Sequence, residues 1–192
     1  MPTVKLLAFA GSARRDSMNK KVLKTAVAGA RDAGAEVTVI DLRDYPMPLV
    51  DEDLEAAEGL PENGAKMQDL FGTHHGLLLA CPEYNSSITP LLKNTIDWVS
   101  RPGPNGPGSQ FLRGKTAGLV SASAGALGGL RGLVHVRAIL GNVGMTVIPN
   151  QVAVSGANKI LAEDGSITDP DREKQVRAVG ATLAEVTGKL IA

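Results

Sequence analysis

The sequence predicts an α/β fold with a doubly wound parallel sheet, and three observations lead to this fold class. Five short apolar runs have the length and composition of strands. Four other segments carry apolar residues at helical spacing, and the two kinds of segment alternate along the chain. The length of 192 residues suits one domain with a substantial core. We therefore expect residues 1–192 to form a single domain, with helices on both faces of the sheet.

The five apolar runs differ in ways that indicate where each strand lies. They are residues 4–10, 36–42, 76–81, 116–123 and 145–154. The first, third and fourth are nearly continuous in apolar residues, as strands buried on both faces are. The second alternates between apolar and polar residues and is expected nearer an edge, and Pro149 could divide the last into two pieces. Five such strands favour the flavodoxin-like sheet, with spatial order 2-1-3-4-5.

Four helices are predicted from apolar stripes and from start and stop signals. They cover residues 22–30, 89–99, 132–144 and 170–190. Gly34 follows the first as a C-terminal cap, and Asp169 with Pro170 gives the last its start. Two stretches have no clear element. Residues 51–64 are acidic and are expected to form a solvated loop with a short helix, and residues 101–110, rich in Gly and Pro, an irregular loop.

Composition excludes several classes of function. Twenty basic and twenty acidic residues cancel, which argues against the broad basic face that a nucleic-acid partner needs but leaves room for a local anion site. A single cysteine, Cys81, rules out a disulfide framework and a cysteine-rich metal site, and it suits a reducing, cytoplasmic compartment. The apolar run near the N-terminus is too short for a signal peptide or a membrane span. We expect a soluble protein with no membrane insertion and no metal.

The loop after the first strand, residues 11–19, has the donors that a phosphate group needs. It carries Ser12, Arg14, Arg15, Ser17 and Asn19 just before a predicted helix, whose N-terminus adds backbone N–H groups and a favourable dipole. The glycine spacings that bind dinucleotides or nucleoside triphosphates are absent, which favours a phosphate monoester. The alternative is an ordinary loop in which Ser17 or Asn19 caps the helix and the arginines are solvated.

The loop after the third strand places polar and aromatic groups at the same edge of the sheet. Pro82 ends the strand, and the residues that follow are Glu83, Tyr84, Asn85, Ser86 and Ser87. Exposed backbone amides and an aromatic ring suit a flat heterocycle with hydrogen-bonding edges. The alternative is a capped turn, with Ser87 or Thr89 as the N-cap and Pro90 at the first helical position.

Three motifs in order carry a family resemblance. They are G-S-x-R-x-x-S-x-N at residues 11–19, PEYN at 82–85 followed by S-x-x-P-L-L-K-N-x-I-D-W, and GK-x-x-G-x-V-S-x-S-x-G-x-x-G-G at 114–129. Together they closely resemble the NADPH-dependent FMN reductase family, flavodoxin-like oxidoreductases that include quinone, azo-dye and chromate reductases. The resemblance covers residues 4 to about 154.

The resemblance implies a role for each matching position. The residues that would hold the FMN phosphate are Ser12, Arg14, Ser17 and Asn19, with Met18 in the same cofactor-binding loop. Those that would line the isoalloxazine, mainly through main-chain groups, are Pro82, Glu83, Tyr84 and Asn85. Those that would close the other side of the ring are Ser121, Ser123 and Gly125. No side chain is assigned a catalytic role, because the hydride chemistry takes place on the N5 atom of FMN.

The implied function is an FMN-dependent NAD(P)H oxidoreductase. NADPH or NADH would reduce the flavin and leave, and a small-molecule acceptor such as a quinone, flavin, azo compound or chromate would then take the electrons. The alternative is a non-catalytic, flavodoxin-like FMN carrier, against which the balanced charge and 3% aromatic content weigh. The resemblance also implies a homodimer or homotetramer with the flavin near a subunit interface. Arg14 or Arg15 could favour NADPH, and the loop 101–110 could cover the site.

A few remaining residues are interpreted as structural. His74 and His75 are expected in a surface turn at the opposite end of the sheet, and His135 lies in a helix with no partner suggested by spacing. Cys81 is expected to be a small buried residue rather than a redox thiol. Trp98 is expected to pack on its helix or in a subunit contact.

Overall fold

A parallel five-stranded sheet forms the centre of the protein in the computed structural model, which describes residues 2–104 and 106–192. Its strands are β1 (Lys5–Ala10), β2 (Glu36–Val39), β3 (Gly76–Ala80), β6 (Thr116–Ala122) and β7 (Thr146–Val154), in the order β2-β1-β3-β6-β7. Two short strands, β4 (Glu83–Tyr84) and β5 (Ser87–Ile88), form a separate antiparallel hairpin. Counting only the strands of the large sheet gives the order 2-1-3-4-5, which confirms the predicted flavodoxin-like fold.

Helices and two 3₁₀ turns connect these strands. The helices are α1 (Met18–Asp32), α2 (Glu52–Glu58), α3 (Glu62–Gly72), α4 (Pro90–Val99), α5 (Leu130–Asn142), α6 (Ala157–Ile160) and α7 (Pro170–Ile191), and the turns are Leu42–Asp44 and Gly108–Phe111. The four predicted helices are present as α1, α4, α5 and α7. Residues 51–64 contain the expected short helix, α2, which has no buried residue, and the start of α3, which was not predicted.

The sheet separates two apolar cores, as expected of a doubly wound fold. Along β1, Leu6 and Ala8 face one core, and Leu7 and Phe9 face the other. Helices α1 and α7 cover the first core, while α3, α4 and α5 cover the second. Strand β2 has no buried residue and three exposed ones, which agrees with its predicted place at an edge.

Strand β7 is continuous, and Pro149 does not divide it. The pairing with β6 passes from Ala117 opposite Val147 to Leu119 opposite Gln151, so the extra residues around Pro149 form a bulge. Arg137 of α5 binds this irregular segment, with its guanidinium 2.9 Å from the Ile148 carbonyl oxygen and 2.9 Å from Gln151 Oε1. The side chain thus supplies hydrogen bonds that the sheet cannot make at the bulge.

His74, which was expected in a surface turn, and Trp98, which was expected to pack on its helix or in a subunit contact, are both buried. His74 is 8% exposed, with Nε2 2.8 Å from Thr38 Oγ1 and Nδ1 2.6 Å from the Leu70 carbonyl oxygen, so it is not in a surface turn. Trp98 is fully buried, and its Nε1 donates to the Pro48 carbonyl oxygen at 2.7 Å. Trp98 therefore packs within its own chain and is not available for a subunit contact.

The loop 101–110, of which Asn105 lies outside the described residues, does not lie near the predicted site. It follows the C-terminal end of α4, and ten helical residues carry the chain about 15 Å away from the carboxyl edge of the sheet. There Gln68 of α3 donates through Nε2 to the carbonyl oxygens of Val99 and Arg101, at 3.1 and 2.7 Å. The interpretation that this loop covers the site of its own chain is wrong.

Among the helices of residues 2–104 and 106–192, none is both long enough and apolar enough to cross a bilayer.

Candidate functional site

Three neighbouring strands end at one edge of the sheet, and the loops that follow them lie side by side. β1 ends at Ala10, β3 at Ala80 and β6 at Ala122. Backbone hydrogen bonds continue past the strands, from Gly11 N to the Ala80 carbonyl oxygen at 2.9 Å and from Cys81 N to that of Val120 at 2.8 Å. The chain turns in opposite directions after β1 and β3, so this edge is the topological switch point, where ligands bind in such sheets.

A cavity of about 210 Å³ opens between the three loops. It is lined by Ser12, Arg14, Ser17, Met18, Asn19, Pro82, Glu83, Tyr84, Ala122 and Ser123. The structure therefore brings together all of the predicted site residues except Asn85, Ser121 and Gly125. Ala122 is the lining residue that the sequence did not indicate.

The first loop presents donors to this cavity and no free carboxylate. Ser17 is the N-cap residue of α1, yet its side chain makes no capping hydrogen bond, and the first turn of α1 contains no acidic residue. Arg14 is exposed at the cavity, and its backbone N–H donates to Ser12 Oγ at 3.3 Å. The one carboxylate of the loop, Asp16, pairs with Lys21 at 2.7 Å and does not line the cavity. Free helix N–H groups, hydroxyls and a cation together fit a phosphate monoester.

Asn19 serves a different purpose from the one that the resemblance implied. Its side chain is buried, with Nδ2 donating to the Ala122 carbonyl oxygen at 2.9 Å and Oδ1 accepting from the Ala122 N–H at 3.0 Å. Both polar atoms are thus engaged by the end of β6, so the side chain holds the start of α1 to this strand, and one Nδ2 hydrogen is left for another acceptor. The alternative in which Ser17 or Asn19 caps α1 is confirmed only in position, because Ser17 is the N-cap residue but neither side chain makes a capping hydrogen bond.

The second loop is a tight hairpin. Asn85 and Ser86, at its tip, have φ angles of 49° and 71°, the pair of left-handed conformations that a type I′ turn requires. Tyr84 is 61% exposed beside the cavity, whereas Asn85 lies outside the lining. The sequence did not predict these strands, because the turn lacks the glycine that usually marks a type I′ hairpin.

Thr89 joins the first two loops and confirms the predicted start of α4. Its hydroxyl accepts from the Leu92 N–H at 3.3 Å as an N-cap and donates to the Gly11 carbonyl oxygen at 2.8 Å. The capped turn and the cavity wall are therefore not alternatives, because one side chain serves both.

Glu83 is held as a carboxylate by groups of α5. Its Oε1 is 2.8 Å from Arg131 Nη2, and its Oε2 accepts from the Gly132 N–H at 2.9 Å. Burial disfavours the charged form, but the Gly132 N–H and the Arg131 guanidinium outweigh it and hold the pKa of Glu83 below its usual range. The acid is therefore ionised at neutral pH and engaged by α5, so it is unsuited to act as a proton donor.

On the third side of the cavity, only part of the predicted wall is present. Ser121 is fully buried, and its hydroxyl donates to the Gly128 carbonyl oxygen at 2.8 Å. Ser123 lines the cavity, and its Oγ accepts from the Gly125 N–H at 3.2 Å. The wall on this side therefore consists of Ala122 and Ser123.

Cys81 lies beneath the site without taking part in it. The residue is fully buried, and this burial raises the pKa of its thiol far above the usual value. A neutral thiol without solvent access is unreactive, which agrees with the interpretation of Cys81 as a small core residue.

A larger cavity, of about 450 Å³, lies between α1 and the end of β2 and contains none of the predicted site residues. Two of its cations already have partners: Lys20 Nζ is 2.6 Å from Asp41 Oδ2, and Arg31 Nη2 donates to the Val37 carbonyl oxygen at 3.0 Å. Size alone would favour this cavity, but the chemistry of the lining favours the smaller one at the switch point.

Comparisons with known proteins agree with the geometry. The sequence pattern of the NADPH-dependent FMN reductase family matches residues 4–159. The chain is 32% identical over 194 residues to an NAD(P)H:quinone oxidoreductase of Solanum tuberosum, which covers 98% of this chain and 95% of that protein. It is 35% identical over 169 residues to an NAD(P)H-dependent FMN reductase of Pseudomonas aeruginosa, covering 86% and 85%.

A solved structure is similar over nearly the whole length. It is the flavoenzyme NAD(P)H:(acceptor) oxidoreductase FerB from Paracoccus denitrificans, which superposes with a TM-score of 0.81 at 25% identity and covers 97% of this chain and 98% of that chain.

Proposed function

This chain belongs to the NADPH-dependent FMN reductase family, and from this premise we propose that it passes reducing equivalents from NAD(P)H to a small oxidised acceptor. It is an oxidoreductase with FMN as cofactor and NADPH or NADH as co-substrate. When bound, FMN supplies the hydride and electron chemistry, and the protein supplies binding, orientation and access. The observation that carries the proposal is the cavity at the switch point, where the N-terminus of α1, without a side-chain cap, adjoins the loop of residues 82–84.

The residues of the cavity divide into two functional groups in this proposal. Ser12, Arg14 and Ser17, together with the free N–H groups of α1, would hold the phosphate. The isoalloxazine would lie against the main chain of residues 82–84, with Ala122 and Ser123 on the other side. Asn19 would act indirectly, by fixing the start of α1 to β6.

The arrangement also supports a ping-pong exchange. Loops occupy three sides of the cavity, so nicotinamide and acceptor would have to use the remaining side in turn. The side chains that line the cavity do not select one acceptor, and reduced flavin can reduce many kinds of oxidised compound. Quinones are favoured as acceptors because several relatives bear the name quinone reductase, while free flavin, azo compounds and chromate are further candidates.

Exposed apolar side chains on the hairpin, on the loop after β6 and on α5 support a homo-oligomer. Tyr84 on the hairpin is 61% exposed, and Leu127, Leu130 and Val134 on the neighbouring loop and α5 are 48, 43 and 58% exposed. Such clusters are typical of surfaces that another protein covers. We expect sedimentation equilibrium at micromolar concentration to give the mass of a homodimer or homotetramer, and a monomer mass would contradict this part of the proposal.

The central experiment is anaerobic stopped-flow spectroscopy of the purified, FMN-loaded protein. We expect a yellow protein whose flavin absorbance is bleached by NADPH or NADH and restored by a panel of quinone, azo, flavin and chromate acceptors. Parallel lines in steady-state double-reciprocal plots would support the ping-pong order. Failure to bind FMN would overturn the proposal. A flavin that only a protein partner can reduce would establish the carrier function instead.

A further inference from the structure

The carboxylate of Glu83 meets the N-terminus of a helix that has no cap of its own. The N-cap residue of α5 is Gly129, which has no side chain to accept a hydrogen bond, and the first turn of α5 contains no acidic residue. An N-cap side chain normally accepts from the second or third N–H of its helix. Here Oε2 of Glu83, 49 positions away in the chain, accepts from the third one, that of Gly132, at 2.9 Å. Glu83 also provides the negative charge that a helix N-terminus favours.

The second oxygen of the same carboxylate forms an ion pair with α5. Glu83 Oε1 lies 2.8 Å from Arg131 Nη2 and 3.1 Å from Arg131 Nε. The Glu83 side chain is 10% exposed and that of Arg131 56%. The carboxylate is thus mostly shielded, and charge-assisted hydrogen bonds are stronger in such surroundings than in water.

The other strand of the hairpin is joined to α5 as well. Ser87 Oγ lies 2.8 Å from Nδ1 of His135, one turn further along the helix. Gly132 lets the two segments approach, because a Cβ atom there would lie 3.2 Å from the Ser87 carbonyl oxygen and 3.3 Å from Glu83 Cβ. Glu83 on β4 and Ser87 on β5 therefore join both strands of the hairpin to one face of α5.

The hairpin needs these contacts. It has only two residues in each strand, it is not paired with the large sheet, and its turn holds two non-glycine residues in left-handed conformations. Isolated two-stranded hairpins are at best marginally stable. We propose that Glu83 is a positioning residue, whose side chain holds the main chain of residues 82–84 against α5 so that this segment forms a fixed wall for the flavin ring. The flavin part rests on the function proposed above.

The test compares Glu83→Ala, Glu83→Gln and Arg131→Met. Loss of the charge-assisted bonds in Glu83→Ala is expected to weaken FMN binding roughly tenfold, measured by quenching of flavin fluorescence. Glu83→Gln keeps an oxygen for the Gly132 N–H and Arg131→Met removes only the ion pair, so both should be intermediate. In the apoprotein, hydrogen exchange at Gly132 and at the hairpin amides should be fastest in Glu83→Ala and intermediate in Glu83→Gln and Arg131→Met. At saturating FMN, the visible circular dichroism of the flavin should change, which a role in stability alone would not produce.

Glu62→Gln is the matched control, since Glu62 forms an exposed ion pair with Lys66 on α3 at 2.7 Å. It should leave all three measurements unchanged. The proposal would be overturned if the FMN affinity and the hairpin exchange rates of Glu83→Ala stayed within twofold of those of the unaltered protein. It would also be overturned if Glu83→Ala lowered the stability but left the visible circular dichroism of the bound flavin unchanged. If Glu83→Ala does not fold, the same measurements on Glu83→Gln and Arg131→Met test the proposal. If the unaltered protein binds no FMN, the proposed function fails, and exchange in the apoprotein still shows whether Glu83 holds the hairpin.

Discussion

Replacing Gly180 of α7 by alanine is expected to lower the free energy of unfolding by about 3 kcal/mol, the upper end of the usual cost of overpacking. A methyl group at Gly180 would overlap the Ala26 carbonyl oxygen of α1 and would lie 2.8 Å from the Ala30 nitrogen. Gly29 of α1 approaches α7 in the same way, because a methyl group there would overlap the Arg177 carbonyl oxygen. Backbone atoms cannot move aside as the end of a flexible side chain can, so the two helices would have to separate.

The sign of this effect can be checked within the same protein. Alanine favours a helix over glycine by up to about 1 kcal/mol, so without the overlap the substitution would be stabilising. Gly141 of α5 provides the control, because a Cβ atom there has no neighbour within 4 Å. Gly141→Ala should be neutral or stabilising by up to about 1 kcal/mol. Urea unfolding followed by far-ultraviolet circular dichroism measures both variants, and equal midpoints for them would show that the helix contact is not tight.

The contact between α1 and α7 also affects the cofactor site. Ser17 and Met18 stand at the N-terminus of α1 and line the cavity, and Asn19 binds this end of the helix to Ala122. A shift of α1 away from α7 would therefore move the loop that is proposed to bind the phosphate. The close packing of two helices on one face of the sheet fixes the geometry of a site at its edge.

The elements that the sequence predicted are those with a long apolar pattern. α7 has a stripe that includes Val176, Val179 and Leu183, and the buried strands β1 and β3 are apolar apart from Lys5. Helix α3 escaped prediction because its buried face contains the polar Gln68 between Met67 and Phe71. The hairpin escaped because each strand has only two residues, too few for any periodicity to be visible.

The position of the site could be predicted, but the partners of its polar side chains could not. The carboxyl ends of adjacent parallel strands must meet at one edge, so the loops after β1 and β3 had to lie together. Which polar group a side chain binds depends on backbone from distant parts of the chain. Asn19 binds Ala122, 103 positions away, and Glu83 binds Gly132, 49 positions away. Neither contact leaves a pattern in the local sequence.

Reversing the charge of Arg14 is expected to have the largest effect on cofactor binding. Arg14 is the arginine that lines the cavity beside Ser12 and Ser17, where the phosphate group is proposed to lie. Arg14→Glu would remove a charge-assisted hydrogen bond, worth about 1.5–3 kcal/mol, and would place a carboxylate near the phosphate. We expect the dissociation constant of FMN to rise roughly 100-fold, since each 1.4 kcal/mol is about tenfold. Quenching of flavin fluorescence at about 0.1 M salt measures it.

Two comparisons separate a phosphate contact from a general change in charge. Arg15 is the next residue and is also exposed, but it does not line the cavity. Arg15→Glu changes the net charge equally but removes no group that lines the cavity, and exposed charges without a direct contact interact weakly in water, so its effect on FMN should be much smaller. Riboflavin, which lacks the phosphate, should bind Arg14→Glu about as well as the unaltered protein. A direct contact predicts a loss of affinity only for Arg14→Glu and only for the flavin that carries the phosphate. If both variants lost FMN affinity equally, or if Arg14→Glu lost affinity equally for FMN and riboflavin, the phosphate would lie elsewhere.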